Sequence, residues 1–384
     1  MISIALVAGE ASGDQLGAAL IRAIRQKNPE TRFSGIGGPL MQAAGMDCWW
    51  DSSQLSVMGL FEVISHLPRL VKLRRQLMQR LLELKPAVFI GIDAPDFNLG
   101  VEKKLKAQNI PTIHYVSPTV WAWRPGRVKS IARATDRVMC LFPFEPSYYQ
   151  QQDVAADYTG HPLADEIPYQ VSVESARHSL NLESNGIYIA LLPGSRLSEV
   201  EKLSTPMLDA AVILSKQNPD IGFLMPAASE LISNRFKSIL HNYPGVNCRV
   251  FSGRSKDVMA AADIVVCASG TATLEVMLVN RPMVVCYRLA GMTYNLAKWL
   301  KLVKIKYFSL PNILASEELV PELMQDEVNG QNISDEVSRW LDQPIQREDL
   351  GRRFELLHQQ LRIDAASTAA RVVLQHVGST HGTN

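Results

Sequence analysis

The sequence contains few cysteines and no long uninterrupted apolar run. The first absence argues against a disulfide-stabilised protein, and the second against a protein that spans a membrane. Five cysteines are scattered through its 384 residues: Cys48, Cys140, Cys248, Cys267 and Cys286. Because their number is odd and three of them lie in apolar, strand-like runs, we expect reduced thiols in a cytosolic protein rather than a disulfide framework. No apolar stretch approaches the roughly 20 residues that cross a bilayer, so a membrane role would be peripheral.

The sequence also lacks an excess of either charge. Charged residues make up 20% of the chain and the formal net charge is only +1, so nothing favours nucleic acid as a partner. The N-terminus lacks the basic segment and cleavage site of a signal peptide, and we expect no export. No set of His and Cys residues has zinc spacing, and we expect no metal or other cofactor.

Short β-branched strands alternate with helical patterns in two stretches, residues 2–142 and residues 187–287. This alternation predicts right-handed βαβ units and therefore an α/β fold with two parallel sheets. The pattern loosens around Pro162 and Pro168, where we place the linker. The predicted domains are residues 1–165, residues 166–340 and a C-terminal segment of helices with a polar tail, residues 341–384.

Ligands of open parallel sheets bind beyond the carboxyl ends of the strands, so the turns that follow predicted strands carry the candidate sites. The first turn contains Glu10, Ser12 and Asp14 among glycines that lack dinucleotide-binding spacing. Close packing of helix on strand explains these glycines equally well. The two carboxylates, however, would repel a phosphate and suit sugar hydroxyls. We therefore predict that Glu10 acts on the acceptor or as a base and that Ser12 contacts substrate.

Asp93 lies where the apolar strand 87–92 meets its loop. Partial burial there would raise the pKa of its carboxyl group toward that of a general base, which makes Asp93 the better candidate for catalysis. Asp96 and Asn98, which follow it, are explained more simply by capping of the helix that begins near Leu99.

Two turns in the second half consist of small polar residues between a strand and a helix, with an arginine in the first and a glutamate one helical turn after the second. The residues concerned are Gly194, Ser195, Arg196, Ser269, Gly270, Thr271 and Glu275. Their N–H, hydroxyl and guanidinium groups suit phosphate oxygens, and the carboxylate suits the hydroxyls of a ribose, although the order of a P-loop is absent. Helix capping explains Thr271 alone, and a surface position explains Arg196 alone. Neither explains why all seven residues occur together. The two turns predict a nucleotide diphosphate bound by the C-terminal domain.

Asn312 and His161 each have two interpretations. The Asn312 amide would serve equally well in a site or as a helix cap. His161, in the linker, is either near a site or structural.

A helical pattern from residue 57 onward is both apolar and basic. The residues predicted to contact acyl chains or a membrane are Phe61, Val63, Ile64, Leu67, Leu70 and Val71. Aliphatic side chains facing an anionic membrane, with Lys and Arg meeting the headgroups, explain this composition. A core helix with a solvated basic face is the alternative.

Together these motifs resemble those of the lipid-A-disaccharide synthase family over nearly the whole chain. The segments that carry the resemblance are Ala8–Asp14, Gly91–Asn98, His114–Arg124, Gly160–Asp165, Leu191–Arg196, Ala268–Glu275 and Ser309–Asn312. The resemblance implies the GT-B architecture of glycosyltransferases, with two Rossmann-like parallel-sheet domains and C-terminal helices crossing between them. It also implies a homodimer from a Gram-negative bacterium, cytoplasmic and peripherally attached to the cytoplasmic face of the inner membrane.

The resemblance further implies a reaction and residue roles. UDP-2,3-diacylglucosamine would donate its sugar to the 6-hydroxyl of 2,3-diacylglucosamine 1-phosphate (lipid X) with inversion, giving a β-1,6 disaccharide 1-phosphate and UDP. At matching positions Asp93 would be the base, with Glu10 as second choice, and Asn312 would be needed for activity. Arg196 and the Ser269–Thr271 helix N-terminus would stabilise departing UDP without a metal.

Other functions remain open from the residues alone. A UDP-N-acetylglucosamine 2-epimerase or the transferase of peptidoglycan precursor would share the fold, and a non-catalytic nucleotide-sugar sensor on the membrane would share the binding site. An epimerase needs no second substrate and a sensor shows no turnover. Release of UDP that depends on a lipid acceptor therefore separates the synthase from both.

Overall fold

A computed structural model of the protein describes residues 2–55, 60–118, 127–150, 152, 154–288 and 306–381, and for residues 60–67, 127 and 379–381 it describes the backbone alone. Its contacts divide the chain into two compact units. The first unit comprises residues 1–165 and 361–384, and the second comprises residues 166–360. The chain therefore returns to the first unit at its C-terminal end.

The first unit is built on a seven-stranded parallel sheet. Its strands are β1 (Ser3–Ala8), β2 (Arg32–Gly37), β3 (Asp47–Asp51), β4 (Val88–Ile92), β5 (Thr112–Tyr115), β6 (Arg137–Cys140) and β7 (Ala155–Tyr158). The helices between them are α1 (Ala11–Lys27), α2 (Pro39–Ala43), α3 (Leu60–Leu84), α4 (Pro95–Lys106), α5 (Arg127–Ala134), α6 (Pro146–Gln150) and α7 (Pro162–Glu166), with a 3-10 turn at Ser52–Gln54. The strand order is β3-β2-β1-β4-β5-β6-β7. Because the order reverses between β1 and β4, this pair forms the switch point at which such sheets bind ligands.

The second unit repeats the plan with a six-stranded parallel sheet. Its strands are β8 (Ile187–Leu192), β9 (Ile221–Ala227), β10 (Cys248–Ser252), β11 (Ile264–Ala268), β12 (Met283–Tyr287) and β13 (Glu322–Met324). Its helices are α8 (Val173–Ser179), α9 (Leu197–Gln217), α10 (Glu230–Leu240), α11 (Ser255–Ala261), α12 (Thr271–Leu278), α13 (Leu310–Ala315), α14 (Gly330–Asp342) and α15 (Pro344–Leu361), with a 3-10 turn at Gln325–Glu327, and α16 (Ala365–His381) follows in the first unit. The order β10-β9-β8-β11-β12-β13 reverses between β8 and β11. The second switch point therefore lies at that pair.

Both faces of the first sheet are covered, as expected for a parallel sheet. Neighbouring residues of β1 point to opposite faces. Leu6 packs in one core with Ile21 of α1 and Val373 of α16, while Val7 packs in the other core with Leu77 of α3. The C-terminal helix thus completes the core of the first unit.

Helix α3 is a core helix over its C-terminal half. Leu73, Leu77 and Leu81, spaced one helical turn apart, are buried, and each contributes about 1.5–3 kcal/mol through burial. Of the residues predicted to contact acyl chains, Leu70 is half-buried and Val71 is 57% exposed. The side chains of the remaining four lie outside the described residues: Phe61, Val63, Ile64 and Leu67.

Two basic residues of α3 are held against aromatic rings. Arg74 lies over Phe97 at 5.0 Å from the ring centroid, and Arg80 lies over Trp50 at 4.9 Å and over Trp49 at 5.4 Å. These cation–π contacts fix α3 to its own unit. Among the helices of the described residues, none is long and apolar enough to cross a membrane.

Candidate functional sites at the two switch points

Two of the predicted turns lie side by side at the switch point of the first sheet. Ala8 and Ile92 are paired in register, so the turn after β1 and the turn after β4 leave the sheet as neighbours. A Cβ atom on Gly9 would lie 2.9 Å from the Cβ of Ala94, which is closer than such atoms pack. The glycine is therefore required because the two turns approach each other closely.

Asp93 has a left-handed backbone, with φ of 51°, and Ala94 after it has φ of 44°. Two successive non-glycine residues in this region store strain that the surroundings must hold. The Asp93 amide donates to the carbonyl of Tyr115 at 2.8 Å. Its half-exposed carboxylate forms no hydrogen bond or ion pair with another described residue. The backbone is therefore fixed while the carboxylate remains available to a ligand.

Asn98 supplies the main restraint on that turn. Its side chain is fully buried, and its amide nitrogen donates to the carbonyl oxygens of Asp93 at 2.8 Å and of Val7 and Ile92 at 3.3 Å. Helix α4 begins at Pro95, before Asn98, and Ala94 at its N-cap position forms no side-chain capping hydrogen bond. The sequence-based interpretation of Asn98 as a helix cap is wrong, because its amide joins the ends of β1 and β4.

Glu10 and Ser12 are exposed in the turn after β1, and the Glu10 side chain makes no capping hydrogen bond to α1. Asp14 is different because its carboxylate is buried and accepts from the backbone amides of Gly38 at 2.9 Å and of Leu40 and Met41 at 3.0 Å. Asp14 therefore anchors the start of α2. Of the two carboxylates in this motif, only Glu10 is presented to solvent.

The two small-residue turns of the second unit come together at its switch point. They follow β8 and β11, which are neighbours in the sheet, and they line one cavity of about 400 Å³. Its lining contains every nucleotide-site residue predicted in this half: Gly194, Ser195, Arg196, Ser269, Gly270, Thr271 and Glu275. The cavity also takes in Glu199.

Glu199 already occupies the backbone amides of the first turn. Its carboxylate accepts from the Ser195 amide at 3.1 Å and the Arg196 amide at 3.3 Å. Gly194 has φ of 119°, and a Cβ atom there would overlap the Glu199 carboxylate. The Arg196 side chain is 82% exposed and lies 3.5 Å from the Glu199 oxygen. The guanidinium, rather than the amides, is therefore the group this turn offers to an anion.

The second turn begins α12. Gly270 has φ of 142°, and no atom of the described part of the chain lies within 4 Å of where its Cβ would stand. The Ser269 hydroxyl donates to the carbonyl of Phe308 at 2.9 Å. Burial raises the pKa of the Glu275 carboxyl group, and the nearby charge of Lys256 opposes this. A half-buried carboxylate facing the cavity is a strong acceptor for hydroxyl groups.

Asn312 is fully buried and has both ends of its amide occupied. Its nitrogen donates to the carbonyl of Val320 and to the Glu322 carboxylate, each at 2.9 Å, and its oxygen accepts from the amides of Leu319 at 2.8 Å and Val320 at 3.0 Å. These contacts tie α13 to the chain that leads into β13. Asn312 is not among the residues that line the cavity.

His161 has a structural environment. It is 8% exposed, packs on the ring of Phe142 at 5.4 Å, and accepts from the Leu163 amide at 3.3 Å through Nδ1. Burial lowers the pKa of His161 to about 4. The imidazole is therefore neutral at physiological pH.

Sequence reasoning missed a buried pair beneath the first switch point. His114 of β5 and Glu102 of α4 are completely buried, with Nδ1 and Oε1 2.7 Å apart. Burial raises the pKa of the Glu102 carboxyl group, although His114 opposes this. A Cβ atom on Gly91 would overlap Glu102, so the glycine in β4 makes room for this pair. The sequence signal was a glutamate among Phe97, Val101 and Leu105 on the buried face of α4.

Comparison with solved structures identifies the class of this fold. The UDP-GlcNAc 2-epimerase from Neisseria meningitidis has a TM-score of 0.62 at 11% identity and covers 99% of this chain and 100% of its own. A glycosyltransferase from Rickettsia africae has a TM-score of 0.61 at 12% identity and covers 100% and 99%. The chain is a GT-B-type α/β protein with two Rossmann-like domains, which confirms the predicted fold class.

Sequence comparison identifies the family. The family model for lipid-A-disaccharide synthetase matches residues 4–373. The lipid-A-disaccharide synthase of Alkalilimnicola ehrlichii is 47% identical over 378 residues, 98% of this chain and 98% of that protein. That of Xanthomonas campestris pv. campestris (strain 8004) is 47% identical over 376 residues, 97% of this chain and 85% of that protein. The chain belongs to the lipid-A-disaccharide synthase family, which are glycosyltransferases of lipid A biosynthesis in Gram-negative bacteria, and the predicted resemblance is confirmed.

Proposed function

We propose that this enzyme transfers 2,3-diacylglucosamine from UDP-2,3-diacylglucosamine to the 6-hydroxyl of 2,3-diacylglucosamine 1-phosphate. The products are the β-1,6-linked disaccharide 1-phosphate and UDP, formed with inversion at the anomeric carbon. The observation that carries the proposal is the convergence of both predicted nucleotide turns and Glu275 on one cavity at the second switch point, in a chain of this family.

The second unit holds the donor in this proposal. The Arg196 guanidinium and the N-terminus of α12 at Ser269–Thr271 face the diphosphate, and Glu275 accepts from the ribose hydroxyls. Two structural neighbours support a nucleotide ligand on this fold, since one was solved with UDP-GlcNAc and another with UDP. As the bond to UDP breaks, Arg196 and the helix N-terminus stabilise the charge that develops on the diphosphate.

The first unit supplies the base. The Asp93 carboxylate accepts the proton of the acceptor 6-hydroxyl, the oxygen forms a bond to the anomeric carbon, and the bond from that carbon to the UDP oxygen breaks. Glu10 is the alternative base because it is exposed at the neighbouring turn. For Asn312 we propose an indirect effect on activity, since its amide is occupied by Val320 and Glu322.

The test is release of UDP from UDP-2,3-diacylglucosamine in detergent micelles, with and without the lipid acceptor. Acceptor-dependent release is expected, and Asp93→Asn should lower it by about a thousandfold, within the range of general-base losses. Asp96→Asn is the matched control, because it changes an exposed carboxylate in the first turn of α4, three residues after Asp93. Release without acceptor would contradict the proposal, and loss on Glu10→Gln rather than Asp93→Asn would move the base to Glu10.

We also propose that the enzyme binds the cytoplasmic face of the inner membrane through the N-terminal half of α3. Val71 is a large apolar side chain of this helix that is exposed, and both proposed substrates carry acyl chains. Replacing Phe61, Ile64, Leu67 and Val71 by serine should release the protein from anionic liposomes without unfolding it. Unchanged partitioning would contradict this assignment.

A homodimer, which we propose from the family resemblance, is tested by sedimentation.

A further inference from the structure

Glu322 is a carboxylate with four donors around it. It begins the edge strand β13, where it is paired with Val285. Its oxygens accept from the Phe308 amide at 3.0 Å, the Ser309 amide at 2.8 Å, the Ser309 hydroxyl at 2.5 Å and the Asn312 side chain at 2.9 Å. Ser309 and Asn312 are completely buried. Hydrogen bonds to a charged acceptor are about twice as strong as neutral ones, so this carboxylate fixes the segment that precedes α13.

That segment is in turn bonded to the second turn of the cavity. The Phe308 carbonyl accepts from the Ser269 hydroxyl at 2.9 Å. The Leu310 amide donates to the Thr273 hydroxyl oxygen at 3.2 Å, and the same hydroxyl donates to the Gly270 carbonyl at 2.8 Å. Residues 308–310 therefore hold the turn from both sides.

The turn has little packing of its own to hold it. Among the residues that the structure describes, no atom lies within 4 Å of a Cβ position on Gly270, whose φ is 142°. Thr271 and Gly270 are exposed toward the cavity side. The turn is held on one side by the Ser269 amide, which donates to the Cys286 carbonyl of β12 at 3.0 Å, and on the other by the hydrogen bonds to residues 308–310.

We infer that Glu322, which does not line the cavity, is a positioning residue for donor binding. It acts through residues 308–310 on the Ser269–Thr271 turn. The inference rests on the proposed donor site. Glu322 carries the same sign of charge as the nucleotide diphosphate. It can support binding of that ligand because its oxygens accept from the amides of Phe308 and Ser309, the Ser309 hydroxyl and the Asn312 side chain.

Titration calorimetry with UDP tests the inference on the full-length chain. Glu322→Gln keeps the shape but places an amide where only acceptors fit, and UDP should bind about tenfold more weakly, as expected when charge-assisted hydrogen bonds are replaced. Glu318→Gln, an exposed carboxylate four residues earlier, should bind UDP as the wild type does. In turnover, KM for the donor should rise while KM for the acceptor and kcat stay within twofold.

The connection itself is tested by a double-mutant cycle. Thr273→Val removes the hydroxyl that links Leu310 to Gly270, and Thr273→Ser is its matched control because it retains the hydroxyl. If Glu322 acts through this segment, the combined loss of UDP affinity is smaller than the product of the two single losses. Should Glu322→Gln reduce the yield of folded protein, Thr273→Val against Thr273→Ser still measures the same connection.

The outcomes separate the inference from the proposed function. Wild-type protein that does not bind UDP would contradict the donor site itself. Wild-type binding with unchanged affinity in Glu322→Gln and Thr273→Val, or independent losses in the cycle, would overturn the positioning role alone. A lower unfolding midpoint with unchanged UDP affinity would reduce Glu322 to a structural residue and overturn the inference as well.

Discussion

Replacing Asn98 should destabilise the first unit and slow turnover without weakening UDP binding. Its buried amide serves the carbonyl oxygens of Asp93, Val7 and Ile92. Asn98→Ala leaves these carbonyls without their donor, and a buried polar group left unpaired costs about 1–3 kcal/mol. Lost packing adds to this, so the free energy of unfolding should fall by about 2–4 kcal/mol.

Asn98→Asp is the sharper variant because it has the same shape. An ionised carboxylate would then face three carbonyl oxygens in a buried position, which costs more than removing the side chain. The predicted order of stability is wild type, then Asn98→Ala, then Asn98→Asp. Urea unfolding followed by tryptophan fluorescence measures it, since Trp49 and Trp50 lie in the first unit, and Lys103→Ala is an exposed control on the same helix.

Activity distinguishes a positioning role from plain loss of stability. Without Asn98 the left-handed backbone at Asp93 and Ala94 loses one of its two restraints at 2.8 Å and keeps the one to Tyr115. Turnover of the folded fraction should therefore fall at least tenfold, by analogy with other misplaced catalytic groups. UDP affinity should not change, because every described residue that lines the cavity proposed for the donor belongs to the second unit. The reasoning would be refuted if the Asn98→Asp protein were as stable as the wild type, or if UDP affinity fell in proportion to turnover.

Three further predictions concern single residues. Gly194 has φ of 119° and lies beside the Glu199 carboxylate, so Gly194→Ala should lower the free energy of unfolding by about 1–3 kcal/mol and weaken UDP binding. Urea unfolding and calorimetry measure the two effects, and unchanged values would show that the turn relaxes freely. Glu275→Gln should abolish the preference for UDP over 2′-deoxy-UDP, and wild-type UDP affinity should decline as the pH falls through the raised pKa of Glu275; a preserved preference would remove Glu275 from the ribose. Because the pKa of His161 is lowered from 6.5 to about 4, the unfolded chain takes up a proton in this window that the folded chain does not. Stability should therefore fall by about 3 kcal/mol as the pH drops from 6.5 to 4, and His161→Asn should flatten the urea midpoint across that range, whereas equal slopes would contradict the assignment.

The alternation of strands and helices in the sequence was enough to identify the turns that the structure places at the two switch points. The turns after β1, β4, β8 and β11 were all identified from apolar strands that end in small or acidic residues. Such signals are local, because each strand and its following turn are contiguous in the chain. Strands β3, β7 and β13 were not predicted, because they are edge strands with no fully buried residue and each carries an acidic residue, so they lack the continuous apolar run of the central strands.

Roles that depend on distant partners were the ones that sequence could not supply. Asp14 was grouped with Glu10 as a sugar contact, yet it caps α2, which begins 25 residues later. Asn98 was assigned to the helix beside it, yet it bonds to Val7 on another strand. In each case the residue type was informative, because short polar side chains bond to backbone, but the partner was set by the packing of the sheet.

The two switch points solve one problem in the same way. In each unit the protein itself satisfies the backbone of the turn, through Asn98 and Tyr115 around Asp93 and through Glu199 at Ser195 and Arg196. At the turns after β4 and β8 a ligand then meets charged side chains, whereas the turn after β11 still presents the N-terminus of α12. This explains why the glycines at these turns are followed by acidic and basic residues instead of the glycine-rich series of a dinucleotide site, in which backbone amides meet the phosphates directly. In the proposed function, specificity for a diphosphate and for a sugar hydroxyl depends on where the backbones of the two turns hold the Arg196 guanidinium and the Asp93 carboxylate.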